Sequence, residues 1–154
     1  MKMKTLIICK SIHHGNTQKV AEVIADVLEA KLMKPEELDI NTVAEYDLVG
    51  FGSGIYYGKH HRDLLNLVDN LPSAGGKKAF IFSTSGTGEK NIKRNHRLIK
   101  EKLVVRGFTI AGEFSCRGWD TFGLLKLIGG INKGRPDEQD LKRAEDFARH
   151  LKDS

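Results

Sequence analysis

The chain has 154 residues, 40% hydrophobic and 29% charged, and a formal net charge of +5 at pH 7. This length and composition suit a globular chain with its own hydrophobic core, and they exclude collagen-like, low-complexity and disordered proteins. Two cysteines are too few for a disulfide framework or a cysteine-rich metal site, and no run of about 18 apolar residues is present to form a transmembrane helix. We therefore predict a cytoplasmic protein with no metal site, no transmembrane segment and no signal peptide.

The first quarter of the chain predicts a strand, a helix and a second strand. Thr5–Cys9 is a short apolar run typical of a buried strand. The helix that follows has its N-cap at Asn16 or Thr17 and carries apolar residues at helical spacing as far as Leu28. Lys31–Lys34 fits either the tail of this helix or a short strand, and we favour the strand because a compact α/β chain needs one there.

The middle of the chain repeats this alternation. Asp47–Gly52 predicts a buried strand whose glycines indicate a helix or a ligand packed closely against it. Ser53–Lys59 predicts a loop, and the apolar residues of Leu64–Leu71 mark a helix that Pro72 ends. Lys78–Phe82 predicts the next strand.

The last third of the chain supplies one more strand between two helices. Asn91–Arg106 predicts a helix, Phe108–Phe114 a strand, and Ser115–Arg135 a long segment before a terminal helix entered through Pro136. The alternation predicts an α/β fold: a three-layer, doubly wound, five-stranded parallel sheet with the flavodoxin-like strand order 2-1-3-4-5. Because the chain shows neither a repeat nor a linker, we predict a single domain over residues 1–154.

Ligands of such sheets bind beyond the carboxyl ends of the strands, so the loops there are the candidate site. The loop after the first strand combines a polar turn, a glycine and a helix N-terminus, which is the geometry of a phosphate cradle. The dinucleotide and ATP-binding glycine motifs are both absent from the chain. An ordinary helix N-cap is the alternative interpretation. The candidate phosphate-binding residues are Ser11, His13, His14, Gly15, Asn16 and Thr17.

The loops after the third and fourth strands complete the candidate site. Two adjacent tyrosines between glycines suggest a flat aromatic platform, with a half-buried aromatic pair as the alternative. The next loop offers hydroxyls and backbone amides suited to the polar edge of a planar ring, or to a solvated turn. The residues concerned are Ser53, Gly54, Ile55, Tyr56, Tyr57 and Gly58, then Ser83, Thr84, Ser85, Gly86, Thr87 and Gly88.

One sheet edge is thus predicted to carry an anion-binding turn, a pair of aromatic side chains and a polar loop, which together suit a phosphorylated ribityl flavin. On the residues just given the chain resembles the flavodoxin family over nearly its full length. The resemblance implies that FMN is bound, with its phosphate in the first loop and its ring between the second loop and Thr84–Gly88. It also implies an electron carrier that shuttles one or two electrons between redox partners.

The segment after the fifth strand is apolar and too long for a tight turn, which indicates a cover for the flavin or a docking surface. We include Cys116 and Trp119 among the candidate cofactor-binding residues, although Cys116 lacks a C-x-x-C partner and is read as a small buried residue rather than a redox thiol. A short helix packed on the sheet edge is the alternative for this segment.

Two other functions stay open at this point. A similar insertion and an Ile-x-Tyr-Gly pattern like that of Ile55–Gly58 occur in menaquinone-dependent protoporphyrinogen oxidases. The second hypothesis is therefore an FMN-dependent oxidoreductase acting on a quinone or porphyrinogen, with peripheral membrane contact. The third is a flavin-free adaptor. No residue has the look of an obligatory acid, base or nucleophile, which favours the carrier.

The positive charge is local. Between Lys77 and Arg106 lie nine basic and two acidic residues, so this segment carries +7 and the rest of the chain −2. Lys93, Arg97 and Lys100 recur at helical spacing, which predicts either a solvated face or a docking surface for an acidic redox partner. Nucleic-acid binding is not predicted, because no recognised motif accompanies these charges.

Overall fold

The computed structural model describes residues 3–12, 15–119, 130 and 132–154. Over these residues strands alternate with helices, and short 3₁₀ helices fill connections at Pro35–Glu37, Ile40–Glu45 and Gly88–Asn91. The strands are β1 Thr5–Lys10, β2 Lys31–Met33, β3 Leu48–Tyr56, β4 Lys59–His60, β5 Lys78–Ser85 and β6 Thr109–Arg117. The helices are α1 Asn16–Leu28, α2 Arg62–Asp69, α3 Ile92–Val105 and α4 Glu138–Asp153.

Five of these strands are parallel and form a sheet in the order β2-β1-β3-β5-β6. Counting only parallel strands, this is the order 2-1-3-4-5, so the predicted fold class is confirmed. The short strand β4 is an addition: it pairs antiparallel with the end of β3, through Ile55 with His60 and Tyr56 with Lys59. The predicted strand at Lys31–Lys34 is also confirmed, as β2.

The predicted strands were too short at their carboxyl ends. β3 continues to Tyr56, so most of the predicted loop over 53–59 is a strand followed by a hairpin turn. β5 runs to Ser85 and β6 to Arg117, which makes Ser83, Thr84 and Cys116 strand residues rather than loop residues. Glycine and serine are poor strand formers in isolation, and pairing on both sides decides their conformation here.

Two hydrophobic clusters lie on opposite faces of the sheet. One face packs against α2 and α3, for example through Phe51 and Ile81 with Leu64 and Ile99. The other packs against α1 and α4, for example through Phe80 and Phe82 with Val20 and Ala148. We call these the α2/α3 face and the α1/α4 face. No helix among the described residues is both long enough and apolar enough to cross a membrane.

The glycines of β3 make room for phenylalanines rather than for a ligand or a helix, which corrects the sequence prediction. A Cβ atom built on Gly50 would lie 2.2 Å from Phe80 Cζ, and one on Gly52 would lie 2.1 Å from Phe82 Cε2. Real Cβ atoms do not approach other atoms so closely. The rings of Phe80 and Phe82 on the neighbouring strand β5 therefore pack over the glycines of β3.

Candidate functional site

The N-terminus of α1 lies just after the carboxyl end of β1. Gly15 is the N-cap residue, with φ 65°, which corrects the prediction of Asn16 or Thr17, and as a glycine it supplies no capping side chain of its own. Ser11 Oγ accepts a hydrogen bond from the N–H of Gln18 at 3.1 Å. A Cβ atom added at Gly15 would meet no atom of the described residues within 4 Å. His13 and His14 lie outside the described residues.

Hydrogen bonds join the start of α1 to two other elements. Thr17 Oγ1 and Thr84 Oγ1 are 2.8 Å apart and buried, which ties α1 to the end of β5. Asn16 Nδ2 donates to the backbone carbonyl of Trp119 at 2.9 Å. The other amide atom of Asn16, Oδ1, is buried and has no hydrogen-bond partner among the residues that the structure describes, and an acceptor atom so placed is suited to a donor on a ligand.

A tight hairpin turn presents the second tyrosine. Tyr57 and Gly58 have φ values of 53° and 78°, and positive φ at both central residues is the pattern of a type I′ turn. Tyr57 is 87% exposed. A bulky residue in the left-handed region is unusual, so the fold holds this ring at the turn against a backbone preference. Tyr56 is half-buried, its ring edge-on to His61 at 5.3 Å.

The loop after β5 is held by residues that follow β6. The N–H of Gly118 donates to the carbonyl of Ser85 at 3.0 Å, and Asn132 Nδ2 donates to the carbonyl of Gly86 at 2.8 Å. Gly88 is buried with φ 60°, and a Cβ there would lie 2.9 Å from Arg117 Cγ. The backbone of this loop is therefore fixed from two sides. Thr87 is exposed.

The structure divides the sequence-predicted site residues into two groups. Several hydroxyl and thiol side chains point into the protein, so they could contact a ligand only through their backbone; these are Thr17, Ser53, Ser83, Thr84 and Cys116. The rest lie at least partly at the surface; these are Ser11, Gly15, Asn16, Gly54, Ile55, Tyr56, Tyr57, Gly58, Ser85, Gly86, Thr87 and Trp119. Gly88 is buried, and the predicted cover over 120–129 lies outside the described residues.

Both cysteines are inert. Cys9 and Cys116 are free and buried, and burial raises the pKa of each thiol to about 12. A thiol with so high a pKa has almost no thiolate at neutral pH. The sequence interpretation of Cys116 as a small buried residue therefore agrees with the structure.

Sequence reasoning missed a buried polar cluster on the α2/α3 face. His96 of α3 is fully buried, with Nε2 2.7 Å from Ser83 Oγ and Nδ1 3.1 Å from Glu113 Oε1. The hydrogen bond from His96 lowers the pKa of Glu113 to about 2, so this carboxylate is ionised at neutral pH. The ring of His60 lies 5.0 Å from that of His96. A single histidine in a helix carries no mark of burial in the sequence, so only strand register could have revealed this cluster.

His60 is the second buried base of this cluster. Its Nε2 lies 3.0 Å from the carbonyl oxygen of Phe82, which can only accept, so Nε2 carries the proton. Burial, together with the nearby His96, lowers the pKa of His60 to about 3. Its Nδ1 is buried and forms no hydrogen bond to another described residue.

The basic side chains of α3 differ in their partners. Lys100 is 3.0 Å from Glu113 and Lys102 is 2.8 Å from Asp69. Lys93, Arg94 and Arg97 are exposed and form no ion pair with a described acidic side chain. A groove of about 630 Å³ beside them is lined by Tyr57, Gly58, Lys59, Arg94, Arg97, Leu98 and Glu101. The surplus charge therefore lies next to the hairpin turn.

Comparison with known proteins decides the family. A family model described as a flavodoxin domain matches residues 6–117. The chain belongs to the flavodoxin family. It is 46% identical over 149 residues to an uncharacterized protein of Methanocaldococcus jannaschii, and the match spans 97% of this chain and 98% of that protein.

Solved structures show the same flavodoxin fold. Oxidised flavodoxin 2 from Bacillus cereus matches with a TM-score of 0.70 and 21% identity, covering 97% of this chain and 98% of that one. A mutant flavodoxin of Fusobacterium nucleatum, solved bound to flavin mononucleotide, matches with a TM-score of 0.67 and 15% identity, over 98% and 96% of the two chains.

Proposed function

We propose that this flavodoxin binds FMN at the carboxyl edge of its sheet and carries one or two electrons between redox partners. The proposal rests chiefly on the N-terminus of α1, which begins at a glycine N-cap and which the Thr17–Thr84 hydrogen bond holds beside the loop after β5. Membership of the family and the flavin bound by the Fusobacterium nucleatum protein support it.

The residues present fit this cofactor. Ser11, His13, His14 and Gly15–Thr17 would hold the phosphate, because helix N-terminal N–H groups and the positive end of the helix dipole favour an anion. A Cβ atom on Gly15 would meet no described atom within 4 Å, and Asn16 Oδ1 is a buried acceptor that has no donor among the described residues. When bound, the flavin supplies the redox chemistry, and the protein supplies position and electrostatics.

The hairpin turn and the loop after β5 would hold the ring. Tyr57 is already held outward at the turn, in a geometry suited to stacking against a planar ligand. The backbone of Thr84–Gly88 would run along the polar edge of the ring, with Ser53–Gly58 on the opposite side. Trp119 would close the site from the end of β6, where its carbonyl contacts Asn16.

An absorbance titration of the apo-protein with FMN and with riboflavin tests this assignment. If the α1 N-terminus seats the phosphate, FMN binds at least about tenfold more tightly than riboflavin, because a buried phosphate contact contributes about 1.4 kcal/mol or more. A protein that stays colourless and shows no spectral change with FMN would refute the proposal. Equal affinity for the two flavins would refute the phosphate seat alone.

We infer further that the redox partner is acidic and docks near Lys93, Arg97 and Lys100. The charge distribution favours the half of α3 nearest the hairpin turn, because Lys100 is engaged by Glu113 whereas Arg94 and Arg97 line the groove beside Tyr57. Surface cations that are not held in an ion pair attract an acidic partner and speed its association at low salt. Docking there would bring the partner next to the proposed flavin ring.

Charge reversal at matched positions tests the docking surface. The double variant Arg94→Glu/Arg97→Glu is compared with Lys31→Glu/Lys34→Glu, which changes the same charge at and beside the far edge strand β2. With a prereduced acidic iron–sulfur ferredoxin as probe, the first pair slows flavin reduction about tenfold at low salt, and the second about twofold at most. Equal slowing by both pairs would leave net charge rather than this surface as the cause.

A further inference from the structure

A turn over residues 132–135 connects two parts of the candidate site. The N–H of Arg135 donates to the carbonyl of Asn132 at 2.9 Å, which closes the turn. Asn132 Nδ2 donates to the carbonyl of Gly86 at 2.8 Å, in the loop after β5. The carbonyl of Arg135 accepts from the N–H of Trp119 at 3.0 Å, just after β6. One short turn thus holds the backbone that follows two neighbouring strands.

Trp119 extends this connection to α1. Its carbonyl accepts from Asn16 Nδ2 at 2.9 Å, while its N–H is bonded to Arg135. Lys133 Nζ of the same turn lies 5.8 Å from the centre of the indole ring. The Asn16 amide also packs against Gly118, where an added Cβ atom would lie 2.7 Å from Nδ2. The 132–135 turn is therefore connected, through Trp119, to the N-terminus of α1.

Asp140 in the first turn of α4 anchors the 132–135 turn. Its side chain is buried, at 1% exposure. Oδ1 accepts from Arg135 Nη2 at 2.7 Å, and Oδ2 accepts from Arg135 Nε. Two hydrogen bonds between a planar guanidinium and a carboxylate fix direction as well as distance. Although burial raises the pKa of Asp140, the hydrogen bonds from Arg135 and from the N–H of Asp137 outweigh it, so the pKa is below its ordinary value and the group is a carboxylate at neutral pH.

Arg143 links Asp140 to the other end of the loop after β5. Its Nη1 lies 3.5 Å from Asp140 Oδ1. Its Nη2 donates to Glu89 Oε2 at 3.1 Å and to the Ser115 carbonyl at 3.4 Å. The loop is therefore contacted at Glu89 by Arg143, and at Gly86 by the turn that Asp140 anchors. We call the four residues that make these contacts the Asp140 cluster: Asn132, Arg135, Asp140 and Arg143.

We propose that Asp140 positions the loop after β5 to receive the flavin ring. The inference rests on the proposed function, in which the backbone of this loop runs along the polar edge of the ring. A loop whose backbone is fixed before the ligand arrives binds more tightly, because less conformational freedom is lost on binding. Asp140 is a positioning residue, since it acts on the loop through Arg135 and Arg143 and not by touching the ligand.

The charges of the Asp140 cluster explain how one carboxylate controls the loop. Arg135 and Arg143 are both positive, and Asp140 contacts both. If its charge is removed, the two guanidinium groups repel each other and lose acceptors. Their side chains are partly exposed, so they can turn to solvent and release the turn and Glu89. Asp137, 3.5 Å from Arg135, is far more exposed than Asp140 and holds it more weakly.

Amide hydrogen exchange of the flavin-free protein, measured by NMR, tests the anchor without a ligand. The Trp119 amide reports on the turn, because it donates to Arg135, and the amides of the central strand β3 report on global unfolding. Asp140→Asn should speed exchange at Trp119 at least about fivefold more than exchange in β3. Glu145→Gln is the matched control, since it removes a carboxylate that pairs with Arg149 elsewhere on the same helix, and it should leave the difference between Trp119 and β3 unchanged. Equal acceleration at both places in Asp140→Asn would overturn the anchor.

Asn132→Gly tests the contact with the loop at the smallest cost to the fold. Asn132 has φ 58°, a conformation that glycine adopts freely, so the variant removes only the side chain that holds Gly86. FMN and riboflavin should both bind about fivefold more weakly, by the same factor, since the loop borders the ring that the two flavins share. Asp140→Asn should weaken FMN binding at least as much. Unchanged affinity in both variants, or a loss confined to FMN in Asn132→Gly, would overturn the positioning.

The double variant Asn132→Gly/Asp140→Asn tests whether the two residues act in series. If Asp140 acts through the turn, adding Asn132→Gly to Asp140→Asn should weaken FMN binding by at most about twofold more, whereas independent residues would give the product of the two losses. The visible absorption spectrum of bound FMN is a second readout, because it responds to hydrogen bonds at the ring and not to the stability of the protein. It should differ from the wild-type spectrum in both single variants and be unchanged in Glu145→Gln. Multiplicative losses, or a wild-type spectrum in all three, would contradict the proposal.

These measurements separate the failure of this inference from the failure of the proposed function. A wild-type protein that binds no FMN would refute the proposed function, while hydrogen exchange would still decide whether Asp140 anchors the turn. Faster exchange at Trp119 with unchanged FMN affinity would show an anchor that does not position the flavin, and would overturn the proposal. Should Asp140→Asn fail to fold, Arg135→Lys replaces it, because lysine keeps the charge but lacks the planar fork that bonds both carboxylate oxygens.

Discussion

The two faces of the sheet are built differently at the level of the candidate site. On the α1/α4 face, β3 has glycines where β5 has phenylalanines, so the side chains there fit together by shape. On the α2/α3 face at the same strand ends lie hydroxyls, imidazoles and a carboxylate joined by hydrogen bonds. A substitution on the α1/α4 face should therefore change stability through side-chain volume, by the same amount at every pH. A substitution on the α2/α3 face should instead change how stability depends on pH.

The largest effect is expected from volume on the α1/α4 face. In Gly52→Ala the new methyl group would overlap the ring of Phe82, which is fully buried and has no space to move into. We expect a loss of at least about 3 kcal/mol in the free energy of unfolding, at the upper end for overpacked cores, measured by urea denaturation.

Gly75→Ala is the matched control for this variant. Gly75 has φ 60° and open space around its Cβ position, so alanine there meets only the backbone cost of about 1 kcal/mol. If the two variants lose equal stability, steric interlock with Phe82 is not what makes Gly52 necessary.

The second effect is acid sensitivity on the α2/α3 face. Since the pKa of His60 is about 3 in the folded protein and 6.5 as its ordinary value, the native state binds fewer protons than the unfolded chain between these pH values. Stability therefore falls as the pH is lowered through this window, by about 1.4 kcal/mol per pH unit once below the ordinary pKa. His60→Gln keeps an N–H for the Phe82 carbonyl and removes the imidazole that titrates. The unfolding free energy of this variant should therefore fall less steeply with pH than that of the wild type, by the slope that one bound proton produces.

Unfolding free energies at a series of pH values between about 7 and 4.5 measure this slope. His150→Gln, at an exposed position of α4, is the control for the same change of residue type. A wild-type slope in His60→Gln would show that the acid sensitivity arises elsewhere. Glu113 adds its own loss only at lower pH, since its folded pKa of about 2 lies below the ordinary value of 4.5.

The sequence predicted the fold better than the site, for physical reasons. Alternating apolar runs and amphipathic helices leave few topologies, so the parallel order followed. The N-cap at Gly15 and the hairpin at Tyr57 were missed because both depend on positive φ, and a tyrosine gives no sign that its backbone is held there. The buried polar cluster around His96 was missed because it needs the register that sets Ser83 beside Ser115.

A third prediction concerns a polar pair on the α1/α4 face. Thr17→Val removes a hydroxyl at nearly constant volume and leaves Thr84 Oγ1 buried without its partner, at a cost of about 1–3 kcal/mol at any pH. The double variant Thr17→Val/Thr84→Val should be at least as stable as the single one, since no hydroxyl is left stranded. A double variant that loses the sum of the single losses would show that the pair does not act as a unit.

The smallest effect belongs to the hairpin turn, which lies beyond both faces and should gain stability on mutation. Tyr57→Gly relieves the positive φ of 53°, so the apo-protein should gain about 1 kcal/mol in the free energy of unfolding. If Tyr57 stacks on the flavin, the same variant should bind FMN about fivefold more weakly, because stacking against an aromatic ring contributes on the order of 1 kcal/mol. Tyr57→Phe keeps the ring and the strain and should change neither quantity much.

A glycine variant that is more stable and binds FMN as well as wild type would leave the strained tyrosine without a role in cofactor binding. A glycine variant that is more stable but binds FMN more weakly would mean that the turn gives up stability in order to bind the ligand.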